Sequence, residues 1–135
     1  MNNAQTLVQR LLKPKTKLPF AIGTYTAKQM ITLRTSQVVK DDGIVIFDYN
    51  LPIAYVDVNG RKATAIIFSA ACGRFVSMTT SKHCTQMLRA LHQEFDMNSC
   101  GCEDAGLSDV PHITTSNASV VVDKLIELHI QFFGA

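Results

Sequence analysis

Tryptophan is absent from this 135-residue chain, and glycine and proline are scarce, at seven and four residues. That scarcity excludes a collagen-like or linker-like composition. Hydrophobic residues make up 47% of the chain, too many for a disordered one. Charged residues are few, at 18%, and no long hydrophobic run exists. The longest uncharged apolar-rich stretch, Ala63 to Cys72, is interrupted by Ser69 and is too short to span a bilayer. The opening MNNAQTLVQRLLKPK lacks the charged start, apolar block and cleavage site of a secretory signal. These absences predict one soluble, intracellular domain over residues 1–135, with no membrane partner.

Charge is unevenly spread. Residues 1–40 carry Arg10, Lys13, Lys15, Lys17, Lys28, Arg34 and Lys40 without an acid, a balance of +7. Residues 90–135 set Lys124 against Glu94, Asp96, Glu103, Asp104, Asp109, Asp123 and Glu127, a balance of −6. Such a map suits a basic face for an acidic partner, or two ends that meet in the fold or in a homo-oligomer. The densest basic run is Lys13-Pro14-Lys15-Thr16-Lys17. Its proline disfavours helix, so an extended, solvated segment is expected. It reads as a solubilising linker or as a phosphate contact.

Patterning predicts an α+β fold. Residues 3–12 place Leu7, Leu11, Val8 and Leu12 at helical spacing, and Pro14 ends the segment. Residues 20–34 turn to a two-residue period, Asp41-Asp42-Gly43 is a turn, and Ile44 to Phe47 reads as a central strand. Residues 51–58 and 63–68 form a hairpin about Asn59-Gly60, the strongest two-residue turn signal in the chain. Phe75 to Met78 makes a last strand. Residues 80–95 then form a helix with Cys84, Met87, Leu88, Leu91 and Phe95 on one stripe, capped by Thr79, Thr80 or Ser81. Met97–Thr115 is a loop, and residues 118–133 form a last helix capped by Ser116 or Asn117. The expected architecture is an antiparallel meander of five or six strands, with an N-terminal helix and two C-terminal helices packed on it. Within the single domain, 1–19 is helix and basic segment, 20–79 sheet, and 80–135 helix-loop-helix.

Two clusters hold residues with chemical potential. His92, Cys100, Cys102 and His112 supply four ligands of the kinds zinc takes, although Cys100-Gly101-Cys102 is tightly spaced for it. The alternative, free or redox-sensitive thiols with no cofactor, is the primary expectation, because disulfides are disfavoured inside cells. Thr79-Thr80-Ser81-Lys82-His83 sets hydroxyls beside an imidazole, yet no acid partner is identifiable and no G-x-S-x-G elbow is present. Helix capping explains the hydroxyls, and the same N–H groups with Lys82 offer an alternative anion site. Tyr49-Asn50 is a turn-like junction that can present its ring to a partner. His129 reads as a hydrogen-bonded core residue.

The stretch Phe47 to Leu91 contains DYNLPIA and FVSMTTSKH. It resembles small uncharacterised proteins of bacteriophages and other mobile elements that carry segments such as SYNTPIA and YSVTTSKH. The matching positions are Tyr49, Asn50, Pro52, Ile53 and Ala54, then Ser77, Thr79, Thr80, Ser81, Lys82 and His83. They fall within about a third of the chain. Asp48 replaces the first Ser, Leu51 replaces Thr, and Phe75-Val76 stand where Tyr is commoner. The resemblance implies a mobile-element origin and a cytoplasmic location in the bacterial host, and it brings no activity with it. The expectation is a non-enzymatic interaction protein that binds and modulates or inhibits a host protein, in counter-defence. Its candidate surface comprises Lys13, Lys15, Lys17, Tyr49, Asn50, Thr80, Ser81, Lys82 and His83. The alternative is a nucleic-acid-binding accessory protein that uses the basic N-terminal region.

Overall fold

Strands with apolar side chains on both faces must be covered from two sides, and that requirement organises this fold. The computed structural model describes residues 1–29, 43–68, 78–110 and 117–134. In order these form α1 (Asn3–Leu11), β1 (Phe20–Ile22), β2 (Tyr25–Gln29), β3 (Gly43–Asp48), β4 (Leu51–Asp57), β5 (Lys62–Ile67), α2 (Met78–Glu94), β6 (Asp96–Gly101) and α3 (Ala118–Phe133). The strands stand side by side in chain order, with β1 to β5 antiparallel. The expected α+β meander, with one helix before it and two after, is what forms.

Register assigns the faces. Tyr25 and Ala27, Ile44, Ile46 and Asp48, Ala54 and Val56, and Ala63 and Ala65 share one face. Over it lie α1, packed on β1 and β2, and α2, packed on β3, β5 and β6 and against α1. The other face carries Tyr55 and Thr64, which meet His129 of α3. His129 is buried there, edge-on to Tyr55 with ring centroids 4.7 Å apart. Three layers result, with α3 over β4 and β5. Among the described residues no helix is long and apolar enough to cross a membrane.

β6 corrects one expectation. All of its residues but Asp96 lie in the predicted Met97–Thr115 loop, yet the strand pairs in parallel with β5, from Lys62↔Asp96 to Ile67↔Gly101. Asp-Met-Asn-Ser-Cys-Gly has weak strand propensity. The pairing is imposed by α2, which crosses the sheet and returns the chain beside β5. Residues 75–77 of the predicted last strand lie outside the described residues, and Met78 already belongs to α2. Thr79, Thr80 and Ser81 therefore sit inside the first helical turns rather than before them. Asn117 does take the N-cap position of α3, without a side-chain cap bond.

The basic segment also differs from expectation. α1 is opened by a capping box between Asn2 and Gln5 and buries Ala4, Leu7, Val8 and Leu11. After it the chain folds back as a turn: the Thr16 hydroxyl lies 2.7 Å from Arg10 O and 3.0 Å from Lys13 O. Orphan carbonyls at a helix end accept such donors, so Lys13–Lys17 is curled against α1 rather than extended.

Candidate functional site

Two tight turns lie side by side at one end of the sheet. Gly23-Thr24 joins β1 to β2, with Gly23 in the left-handed region (φ 62) and Ile22 opposite Tyr25. Tyr49-Asn50 joins β3 to β4 with both residues left-handed (φ 51 and 69) and Asp48 opposite Leu51. Positive φ at both positions is the signature of a type I′ hairpin. Asn tolerates that conformation, whereas a tyrosine there costs about 1–2 kcal/mol. Tyr49 N donates to Thr24 O at 3.1 Å and ties the turns together. The predicted Asn59-Gly60 turn is instead a four-residue loop, Val58–Arg61, in which Asp57 Oδ1 accepts from Gly60 N at 2.9 Å.

Strand parity drives Asp48 inward. It follows Ile44 and Ile46 on the face beneath the helices and is fully buried, at 0% exposure. A buried carboxylate requires hydrogen bonds to offset its lost hydration. Thr24 Oγ1 donates to Oδ1 at 2.6 Å, and His83 Nδ1 stands 3.0 Å from Oδ2. Tyr25 OH, at the base of the same cluster, donates to His83 O at 2.7 Å. The imidazole lies between two tyrosine rings, edge-on to Tyr25 (centroids 5.8 Å apart) and tilted against Tyr49 (5.7 Å).

A carboxylate oxygen only accepts, so the proton between it and the ring belongs to Nδ1. That fixes the tautomer and orientation of His83 and leaves Nε2 as the free acceptor. The pair is the base-and-orienter half of a triad. The neighbouring thiol does not complete it: burial, then the negative charge of Asp48, pushes Cys84 up to about 12. A thiol so protonated is a poor nucleophile at neutral pH. Burial first, then Asp48, then Cys84 also raise Tyr25 well above the usual phenol range, and its hydroxyl stays a donor. The arrangement is therefore an oriented Asp48–His83 pair beside the exposed Tyr49 turn, with no activated thiol next to it.

Candidate surface residues separate into two groups. Tyr49, Asn50 and His83 gather at the end of β3, with Thr80 buried and Ser81 half-buried in the adjoining helical turns and Lys82 exposed. Lys13 and Lys15 line a hollow that includes Gln29 and Ile44, at the start of β3. By strand rise the two ends are roughly 17 Å apart. Lys13, Lys15 and Lys17 are all exposed. Lys13 and Lys15 stand at the ends of β2, β3 and β4, beside Gln29, Ile44 and Val58, whereas the acidic segment with Glu103, Asp104 and Asp109 follows β6 at the sheet edge.

The potential zinc ligands fare differently. His92 is exposed on α2 and Cys100 is buried in β6. His112 lies outside the described residues. Cys102 is disulfide-bonded, which corrects the expectation of free thiols throughout and removes its sulfur as a thiolate ligand. Cys84 and Cys100 are free, and burial with the nearby charge of Asp104 pushes Cys100 up to about 11. Among the described residues no group of three or more His, Cys, Asp or Glu side chains gathers as a metal site.

Sequence reading missed Asp48, Thr24 and Tyr25. A signal for Asp48 existed, since it is in phase with Ile44 and Ile46, and a carboxylate on a core face demands a partner. Nothing local pointed to His83 as that partner, 35 residues away. Comparison of the chain with protein-family models, curated proteins and solved structures finds no match.

Proposed function

We propose that this chain is a small interaction protein of a phage or related mobile element. It binds and modulates a protein of its bacterial host in counter-defence, and catalyses no reaction. The observation that carries this reading is the Tyr49 turn. A tyrosine is held in a conformation that favours glycine, 58% exposed, against a histidine anchored on a buried carboxylate. A rigid, exposed tyrosine loses little entropy on binding, and tyrosines are enriched at the centres of interfaces. Asn50 shares the turn, and exposed Thr79 lies one helical turn before His83 on the same side of α2.

Tyr49→Gly tests the reading cleanly. Glycine relieves the left-handed strain and keeps the backbone N–H that ties the two turns together, which offsets part of the packing lost with the ring. Affinity capture from bacterial lysate is compared between the wild-type chain and this variant. A host protein captured by the wild type and lost with Tyr49→Gly is the expected result. Equal capture by both, or no capture by either, overturns the proposal.

A further inference from the structure

The two edges of the sheet are guarded differently. An edge strand offers unpaired N–H and C=O groups to another strand, and folded proteins blunt such edges with short strands, proline, lysine or bulges. β1 is three residues long and follows Pro19. β6 runs six residues, Asp96-Met97-Asn98-Ser99-Cys100-Gly101, without lysine, proline or a break in register. Asp96 N donates inward to Arg61 O at 2.7 Å. By alternation Asn98 and Cys100 also turn their backbone groups toward β5, and Met97, Ser99 and Gly101 turn theirs outward. The following turn satisfies Gly101 on that side: its N–H donates to Asp104 Oδ2 at 3.2 Å, and its carbonyl accepts from Ala105 N at 3.1 Å. Among the described residues nothing pairs with the outward N–H and C=O of Met97 and Ser99. Between them, Asn98 Nδ2 is buried without a hydrogen-bond partner.

We propose that β6 pairs with β6 of a second copy of this chain, antiparallel about a two-fold axis at Asn98, so that two sheets become one. Met97 exchanges both backbone bonds with Ser99 of the second copy, and Ser99 does the same with its Met97. All four outward groups are then used. Asn98 faces its own copy at the non-hydrogen-bonded position, where Cα atoms approach to about 4.5 Å and side chains meet most closely. Two identical amides there exchange hydrogen bonds, which supplies the acceptor that Nδ2 lacks. A foreign strand offers no such match. Asp96 falls opposite Cys100, so no like charges meet across the axis. Neighbouring registers are blocked. Centring on Met97 calls for Phe95, whose N–H is held by Leu91 O, and centring on Ser99 calls for Gly101, whose groups the turn holds. A two-fold contact of this kind closes as a dimer. It is separate from the Tyr49 turn and does not depend on the function assigned there.

The test is sedimentation velocity of the full chain from low to high micromolar concentration, at low and high salt. A dimer whose share rises with concentration and persists in high salt is expected, because backbone hydrogen bonds are not screened as surface charges are. Ser99→Pro removes an N–H that serves no bond within the chain, and proline is tolerated on an edge strand. It is expected to keep the melting temperature and to raise the dimer dissociation constant about tenfold or more, because it removes two symmetric bonds. Asn98→Cys, treated with diamide, is expected to give a crosslinked dimer on a non-reducing gel, since facing Cα atoms at that position lie within disulfide reach. Thr85→Cys, exposed on α2, is expected to give none. The crosslink decides the case where Ser99→Pro does not fold. The proposal is overturned by a monomer at every concentration, by a dimer of unchanged affinity in Ser99→Pro, or by no crosslink in Asn98→Cys. It is equally overturned by equal crosslinking in Thr85→Cys, or by a dimer that high salt dissolves, which marks a contact between the basic and acidic regions instead.

Discussion

Removing the Asp48 carboxylate is the sharpest perturbation of the candidate site. Asp48→Ala strips acceptors from two donors at once, Thr24 Oγ1 at 2.6 Å and His83 Nδ1 at 3.0 Å. Hydrogen bonds to a charged group contribute about 1.5–3 kcal/mol each. Breaking a buried pair by deleting one partner typically costs about 3–5 kcal/mol, since the survivor is left without compensation. For His83 part of that cost is recovered by hydration, because its side chain is 19% exposed. The expected loss is therefore about 3 kcal/mol, near the lower end. For a chain of this size that lowers Tm by roughly 10 °C. Urea titration and calorimetry measure it, with Thr24→Val and His83→Gln completing double-mutant cycles. Coupling of about 1 kcal/mol or more between Asp48 and each partner is expected. A loss below about 1 kcal/mol for Asp48→Ala, with no coupling, would refute the account of the carboxylate as the anchor of the Tyr49 turn.

Gly43→Ala tests the opposite face: an added Cβ would collide with the Tyr55 hydroxyl, which lies across Gly43. Overpacking there is expected to cost about 1–3 kcal/mol in chemical denaturation, and Tyr55→Phe in the same chain should restore part of it. Cys84 makes a pH prediction, because its folded-state pKa is raised from 9.0 to about 12. Between those values the folded chain keeps a proton that the unfolded chain releases, so stability is full below pH 9 and falls as pH rises. Stability measured from pH 7 to 10.5 should fall less steeply in Cys84→Ala than in the wild type.

Much of the helical layer is readable from spacing alone. Ala118–Phe133 is bounded as expected, because Val121, Val122, Leu125, Ile126 and His129 form one continuous apolar face. The central position of β3 is equally legible from the unbroken run Ile44 to Phe47. Turns were read less well. Asn59-Gly60 carries the stronger two-residue signal, yet the register Asp57↔Lys62 leaves four residues between the strands. The two-residue turn falls on Tyr49-Asn50, the expected turn-like junction, although tyrosine disfavours its left-handed backbone. Packing of the Tyr49 ring on His83 and the bond from Tyr49 N to Thr24 O outweigh a local cost of a kcal/mol or two.

Sequence by itself determined what periodicity and charge order can encode: the α+β class, the helices, the consecutive antiparallel strands and a chain basic at one end and acidic at the other. Tertiary structure alone decided that Asp48 meets His83 and that β6 is a strand. The reason is common to both. Each depends on where α2 returns the chain, a long-range packing outcome that no local pattern of residues carries.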